Sequence, residues 1–192
     1  LDRHQLELIA DNCDSLGSKY DGKYLTDRAV AASCSFYPAH HLCTIEGGMV
    51  SSNIKGVVDL ARSFAWWGRG CYCVGQQNLL PNGVCGKRFD KWLDKYDDIV
   101  DHKYVFSNMG YNLKPLDLQG AVGSVQLLKY EEIHDKRRRN KWRIQQIVER
   151  IPGIRVMNEM PIAETSWFGV PILCENKKLK HSLVLHFEKN KI

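Results

Sequence analysis

The sequence lacks the features of a membrane or secreted protein. It has no run of about 18 apolar residues, the length that a membrane-spanning helix requires. Its first residues, LDRHQLELIADNCD, contain neither a basic segment followed by an apolar one nor a small-residue cleavage site. Internal repeats and low-complexity tracts are absent as well. These absences favour an ordinary cytoplasmic globular protein with no membrane contact.

What is present fits that class. The chain has 192 residues, of which 44% are hydrophobic and 26% charged, enough to form a sizeable core. It begins with Leu1 instead of an initiating methionine, and its last residues, HFEKNKI, break off within an amphipathic helical pattern. We therefore expect the chain to be part of a longer protein.

Positive charge is concentrated in one place. The net charge is +5, and much of the excess lies in HDKRRRNKWR, from His134 to Arg143. Single-stranded nucleic acids are bound by basic residues interleaved with aromatic ones, and Trp142 is the only aromatic residue in this run. We interpret the run as the solvated face of a long helix and expect no nucleic-acid partner.

Short strands alternate with helices along the chain. Strands are predicted at 6–10, 29–36 and 47–52, and a helix follows at 54–65 with Asn53 as its N-cap. From Pro115 the spacing predicts one long helix or two consecutive ones, then strands at 153–160 and 166–174 and a closing helix. This order predicts an α/β fold with a parallel sheet in residues 1–150 and the start of a small α+β domain in residues 151–192.

Cysteines are abundant and odd in number: Cys13, Cys34, Cys43, Cys71, Cys73, Cys85 and Cys174. Without a secretory signal, a metal or redox role competes with a disulfide framework. The C-x-C pair lies in residues 69–104, which lose periodicity, and so long an irregular segment is usually functional or held by a metal.

Three motifs carry a resemblance. ADNCDSLGSKYDGK, SFYPAHH with its following EGG, and GYNLKPLDLQGAVGSVQLLKYEEI together resemble the fold-type I, pyridoxal phosphate-dependent sugar aminotransferase superfamily. Aminotransferases of this group keep a lysine five residues after the serine of the SF motif, and here that position is His40. The substitution resembles the sugar 3-dehydratases of the superfamily. Imidazole forms no stable Schiff base, but it exchanges protons near neutral pH.

The resemblance implies a site for non-covalent pyridoxamine 5′-phosphate. His40 is the expected catalytic proton carrier, whereas His41 is expected to be an ordinary surface or capping residue. Asp11 is expected to pair with the pyridine nitrogen, Asp14 to lie near the ring, and Ser35 to bind the phosphate. Asn112, in GYN, is expected to reach the phosphate of a neighbouring subunit, which implies a homodimer with shared sites.

The resemblance also implies a metal centre on Cys13, Cys71, Cys73 and Cys85. Fifty-seven residues separate the first two cysteines, one separates the next two and eleven the last two; the family's last gap is shorter, so QQNLLPNG is interpreted as an insertion. Four thiolates suit a [2Fe-2S] cluster or a zinc ion. Since two residues span at most about 7 Å, a metal on Cys13 cannot lie far from a ring held by Asp11.

The expected function is C3 deoxygenation of a CDP-4-keto-6-deoxyhexose, with a flavin/iron–sulfur reductase supplying electrons. Two alternatives stay open. One is a cluster-free dehydratase acting on a GDP-sugar, which would share the SFYPAHH turn. The other is a non-catalytic remnant or interaction protein with a structural zinc.

Overall fold

The computed structural model describes residues 4–71, 85, 88–90 and 99–192. Its elements are β1 (Ile9–Asp11), β2 (Lys19–Tyr20), β3 (Lys23–Tyr24), β4 (Ala31–Ser35), β5 (Gly48–Ser51), α1 (Lys55–Ala65), α2 (Asp117–Leu127), α3 (Tyr130–Val148), β6 (Ile154–Val156), β7 (Ala163–Glu164), β8 (Ile172–Cys174) and α4 (Lys177–Lys189). The predicted alternation of strands and helices is confirmed. Within the described residues, no helix combines the length and apolarity needed to span a membrane.

The first sheet has the order β1–β4–β5 and places the candidate site at its edge. Small side chains let β4 pack tightly, with Ala32 and Cys34 buried. β1 and β4 are parallel, as predicted, and Asp11 pairs in register with Ser33. β5 differs, since it runs antiparallel to β4. The chain returns from β4 through a turn, without the helical crossover that a parallel neighbour requires.

The second sheet joins distant parts of the chain. β2 pairs with β3 on one side and with β7 on the other, and both pairings are antiparallel. β7 therefore connects residues after 151 to the loop that follows β1. β6 and β8 form a separate antiparallel pair. The division at about residue 150 stays a prediction.

The start of α1 corrects one prediction. Asn53 is not the N-cap, because α1 begins at Lys55 and the capping position is Ile54. The hydroxyl of Ser52 accepts a hydrogen bond from the Ile54 amide at 3.0 Å. Ser52, one residue before Asn53, therefore orders the chain that leads into α1. The predicted helical stretch after Pro115 consists of the two helices α2 and α3.

The basic run on α3 is only partly a solvated face. Lys136 and Arg139 are exposed, as predicted, whereas Arg137 and Arg138 are half-buried and Lys141 is buried. The solvated-face interpretation is wrong for these last three residues. Arg137 donates to the Phe168 carbonyl in the loop before β8, and Arg138 donates to the Thr165 carbonyl in that loop and to the Glu159 carboxylate between β6 and β7. Lys141 donates to Gln145 on the same helix, and its ammonium lies over the Trp167 ring.

Candidate active site

The carboxylate of Asp11 lies at the carboxyl end of β1. Its Oδ1 accepts a hydrogen bond from the Ser33 hydroxyl at 2.9 Å and one from the Cys13 amide at 3.3 Å. Hydrogen bonds from the Cys13 thiol, from Ser33 and from the Cys13 amide lower the pKa of Asp11 below its ordinary value. An exposed carboxylate held in its ionised form is the group that a protonated ring nitrogen requires. Parallel register brings Ser33 to this site, a contribution that our sequence analysis missed.

Ser35 ends β4 beside this carboxylate. Its amide donates to the Cys13 carbonyl at 3.4 Å, which ties the ends of β4 and β1 together. Its hydroxyl accepts a hydrogen bond from the Tyr37 amide at 3.1 Å. That contact uses only a lone pair, so the hydroxyl proton stays available for an anion. Asp11, Cys13, Ser33 and Ser35 thus share one edge of the sheet.

His40 lies on a tight turn after β4. Its amide donates to the Tyr37 carbonyl at 2.9 Å, and the turn is closed by a bond from the Phe36 amide to the Gly47 carbonyl at 2.9 Å. Gly47 has φ +144, and a Cβ there would come within 2.6 Å of the Thr44 hydroxyl. Glycine at this position is therefore a packing requirement of the turn.

The imidazole of His40 packs between two aromatic rings. The ring centroid of Tyr37 is 5.5 Å away and that of Phe168 is 5.1 Å away, both in edge-on arrangements. Nδ1 of His40 is buried and has no hydrogen-bond partner among the described residues. Phe168 belongs to the loop before β8, and no local pattern in the sequence could have placed it beside His40.

His41 is buried, which corrects the expectation of an ordinary surface or capping residue. Its Nε2 donates to the Ser166 carbonyl at 3.2 Å, and the side chain is buried. Burial lowers the pKa of His41 below its ordinary value. Ser166, which is completely buried, also contacts the Ser18 hydroxyl at 2.9 Å. This polar cluster anchors the loop before β8 under the His40 turn.

Within the described part of the chain, the expected metal ligands do not form a cluster. Cys73 lies outside that part, and within it no group of three or more histidines, cysteines or acidic residues could hold a metal ion. Cys71 is buried, and Cys85 Sγ lies 3.9 Å from His102 Nε2. A hydrogen bond to Asp11, desolvation and nearby negative charge raise the pKa of the Cys13 thiol, which disfavours the thiolate that a metal needs. The metal centre stays a prediction.

Two other predicted residues are exposed. Asp14 follows Cys13 in the loop after β1. Asn112 forms an isolated antiparallel bridge with Trp66 at the end of α1, so its segment is fixed to the helix while its side chain faces outward. The predicted contacts of Asp14 and Asn112 with the cofactor stay predictions.

One cavity that the described residues form adjoins this site without including it. It has a volume of about 810 Å³ and is lined mainly by apolar residues of the loop after β1, the turn after β4, β5 and α2. Its lining does not include Asp11, Ser35 or His40. We therefore do not place the reaction in this cavity.

Comparison with known proteins gives consistent matches. The model of the DegT/DnrJ/EryC1/StrS aminotransferase family matches residues 1–192. The chain is 41% identical to a dTDP-4-dehydro-2,6-dideoxy-D-glucose 3-dehydratase of Saccharopolyspora spinosa, over 88% of this chain and 36% of that protein. It is 38% identical to the lipopolysaccharide biosynthesis protein RfbH of Salmonella typhimurium, over 89% of this chain and 38% of that protein.

A solved structure shows the same fold. Escherichia coli GDP-4-keto-6-deoxy-D-mannose-3-dehydratase with bound hydrated PLP superimposes with a TM-score of 0.72 at 25% identity. The alignment covers 97% of this chain and 45% of that one. The chain thus spans less than half the length of each of these proteins.

Proposed function

This chain belongs to the DegT/DnrJ/EryC1/StrS aminotransferase family, and we propose that the protein removes the C3 hydroxyl group from a nucleotide-linked 4-keto-6-deoxyhexose. One observation carries the proposal: an imidazole, His40, occupies the turn after β4 where the resemblance places the lysine of an aminotransferase. A histidine there can move protons, but it cannot hold the cofactor covalently.

The residues at the sheet edge fit pyridoxamine 5′-phosphate. Asp11, with its lowered pKa, would pair with the protonated pyridine nitrogen, and Ser35 would donate its hydroxyl proton to the phosphate. Asp14 would lie near the ring. The bound cofactor supplies a free amine for the 4-keto group and a ring that delocalises electrons. The same sheet edge would accept the pyridoxal form.

His40 would act through Nε2. Nδ1 is buried and has no hydrogen-bond partner within the described part of the chain, so Nε2 is the nitrogen left to face a reacting group. Packing between Tyr37 and Phe168 restricts rotation of the ring and aims the free nitrogen in one direction. We propose that Nε2 takes a proton from the substrate–cofactor assembly and that the protonated imidazole assists departure of the C3 hydroxyl.

The nucleotide is proposed to be CDP, and the product class to be 3,6-dideoxyhexoses of bacterial surface polysaccharide. The relative named for lipopolysaccharide biosynthesis supports the product class, and the resemblance carries the choice of CDP. A cluster-free enzyme acting on GDP-4-keto-6-deoxymannose is the second candidate, and the solved dehydratase of the same fold favours it.

A direct comparison of the two sugars tests the nucleotide. Full-length protein loaded with pyridoxamine phosphate should process CDP-4-keto-6-deoxyglucose with a higher kcat/KM than GDP-4-keto-6-deoxymannose. A difference of about tenfold corresponds to about 1.4 kcal/mol of differential binding in the transition state. Preference for the GDP-sugar would select the second candidate.

The proposed partners follow from the proposed chemistry. A [2Fe-2S] cluster on Cys13, Cys71, Cys73 and Cys85 would receive electrons from a flavin/iron–sulfur reductase, and the cysteine spacing supports this proposal. A structural zinc on the same thiols is the alternative. A cytoplasmic location is also proposed. A homodimer is proposed from Asn112, which is exposed where its segment bridges Trp66 at the end of α1.

Mixing two inactive variants tests the shared site. Neither Asn112→Ala nor His40→Asn protein should turn over alone. After subunit exchange, a hybrid dimer would contain one site with both wild-type residues, so part of the activity should return. Activity is measured after exchange has been demonstrated by mass spectrometry of differently labelled subunits. Absence of complementation in exchanged dimers would argue against a phosphate contact from the neighbouring subunit.

A further inference from the structure

Arg137 connects two segments that meet at His40. Its Nη2 donates to the His40 carbonyl at 3.0 Å. Its Nη1 donates to the Phe168 carbonyl at 2.9 Å and approaches the Trp167 carbonyl at 3.4 Å. A single guanidinium on α3 therefore joins the turn after β4 to the loop before β8.

The guanidinium suits this task because it is planar and rigid. Its donors leave in fixed directions, so the carbonyls that they bind are held at a fixed separation. A lysine ammonium has freely rotating donors and sets no such separation. Among the described residues no strand pairing joins the His40 turn to residues 167–168, and the His41–Ser166 bond reaches only the residue before them. The guanidinium is therefore a direct connection between the turn and residues 167–168.

The connection matters because each segment supplies part of the pocket around the imidazole. The turn supplies His40 and Tyr37, whose ring lies 5.5 Å away, and the loop supplies Phe168, whose ring lies 5.1 Å away. The interplanar angle between His40 and Phe168 is 85°, an edge-on contact that depends on the relative position of the two segments. Moving the loop would change the contact between Phe168 and the imidazole, which restricts the rotation of that ring.

The rest of the loop has its own attachments. Arg138 donates to the Thr165 carbonyl at 2.7 Å and to Glu159 Oε1 at 2.9 Å. The Ser166 amide donates to the Ser18 hydroxyl at 3.0 Å. Loss of Arg137 would therefore loosen residues 167–168 and the His40 turn while the beginning of the loop stays in place.

We propose that Arg137 is a positioning residue that sets the orientation of the His40 imidazole by fixing the His40 turn and the Phe168 loop to each other. The inference rests on the proposed function for the role of His40 in turnover. Its geometric part concerns only the orientation of a side chain, and this part can be measured without turnover.

The experiment compares four variants of the full-length protein, three changes to methionine and Arg137→Lys, which keeps the charge but not the planar guanidinium. Arg137→Met removes the hydrogen bonds that join the two segments. Arg138→Met removes a bond to the same loop, and the bonds of Arg138 do not reach the His40 turn. Arg139→Met removes a neighbouring exposed charge. The ring signal of His40 is followed by NMR on histidine-labelled protein and assigned with the His40→Asn variant. Turnover of the nucleotide sugar, its pH profile and thermal unfolding are measured on the same samples.

We expect Arg137→Met to shift and broaden the His40 ring signal. It should also lower kcat by about tenfold or more and change KM by less than about twofold, because misalignment affects the reacting geometry more than binding. The pH profile of kcat should differ from that of the Arg139→Met protein as well. Arg138→Met should lower the unfolding temperature with little change in these signals, and Arg139→Met should change neither. Arg137→Lys should lie between the wild type and Arg137→Met.

Other outcomes separate this inference from the proposed function. If Arg137→Met leaves the His40 signal and kcat as they are in Arg139→Met, or if Arg138→Met reproduces its full effect, the positioning role is wrong. If Arg137→Met alters the His40 signal but the wild-type protein does not dehydrate either sugar, the positioning role stands and the proposed function fails.

Discussion

Replacing His40 with asparagine in the full-length protein should abolish loss of the C3 hydroxyl while leaving pyridoxamine phosphate bound. Asparagine occupies similar space and forms hydrogen bonds, but it cannot gain or lose a proton near neutral pH. General acid–base catalysis by one group contributes about 10²–10⁴-fold to a rate, so kcat should fall by that order. Cofactor retention is measured by absorbance after gel filtration, and turnover by mass spectrometry of the sugar.

His40→Lys provides the matched variant. An amine at this position can bond covalently to the aldehyde of pyridoxal phosphate, so borohydride should trap the cofactor on the protein. The wild-type protein should give no trapped adduct, because imidazole cannot form this bond. Turnover close to wild type in His40→Asn, or no adduct in His40→Lys, would contradict the placement of His40 at the lysine position.

Replacing any one of Cys13, Cys71, Cys73 and Cys85 with serine should remove a [2Fe-2S] cluster from the anaerobically reconstituted protein. A two-iron cluster needs four ligands, and loss of a thiolate destabilises it. Iron and sulfide content should fall, and so should the paramagnetic resonance signal of the dithionite-reduced protein. Reductive deoxygenation should be lost, whereas proton abstraction at His40 should be partly retained.

The other three cysteines are the controls. Cys43→Ser and Cys174→Ser should keep the cluster, since both residues lie outside the spacing pattern. Cys34 is buried in β4, so Cys34→Ser should lower stability without altering the iron content. One zinc ion per chain with no resonance signal would overturn the electron-transfer part of the proposal and leave a cofactor-dependent dehydratase.

Sequence patterns predicted the local features of this fold well. Small residues in β4 indicated a buried strand, and helical spacing located α1 and the stretch that contains α2 and α3. The strand that contains the SF motif ends at Ser35, close to its predicted end, and His40 lies on the turn that follows. These features are set by residues that are close together in the chain, so patterns in the sequence can predict them.

Features set by long-range packing could not be predicted in this way. The direction of β5 depends on the path of the preceding turn. Phe168 reaches His40 only because α3 and the loop before β8 fold back onto the His40 turn. Arg137 sits in a run of similar cations, and nothing in that run distinguishes the arginine that binds backbone carbonyls from its exposed neighbours.

The most direct measurement of the central claim is the fate of the oxygen on C3 of the sugar. Full-length protein with pyridoxamine phosphate is incubated, without reductant, with the 4-keto sugar in ¹⁸O-labelled water, and the recovered sugar is analysed by mass spectrometry. When the C3 hydroxyl leaves and water adds back, ¹⁸O should appear at C3 of the sugar recovered from the wild-type protein. The sugar recovered from His40→Asn should keep its original oxygen at C3. A product that carries an amino group at C4 and keeps its original C3 oxygen would show an aminotransferase and contradict the account.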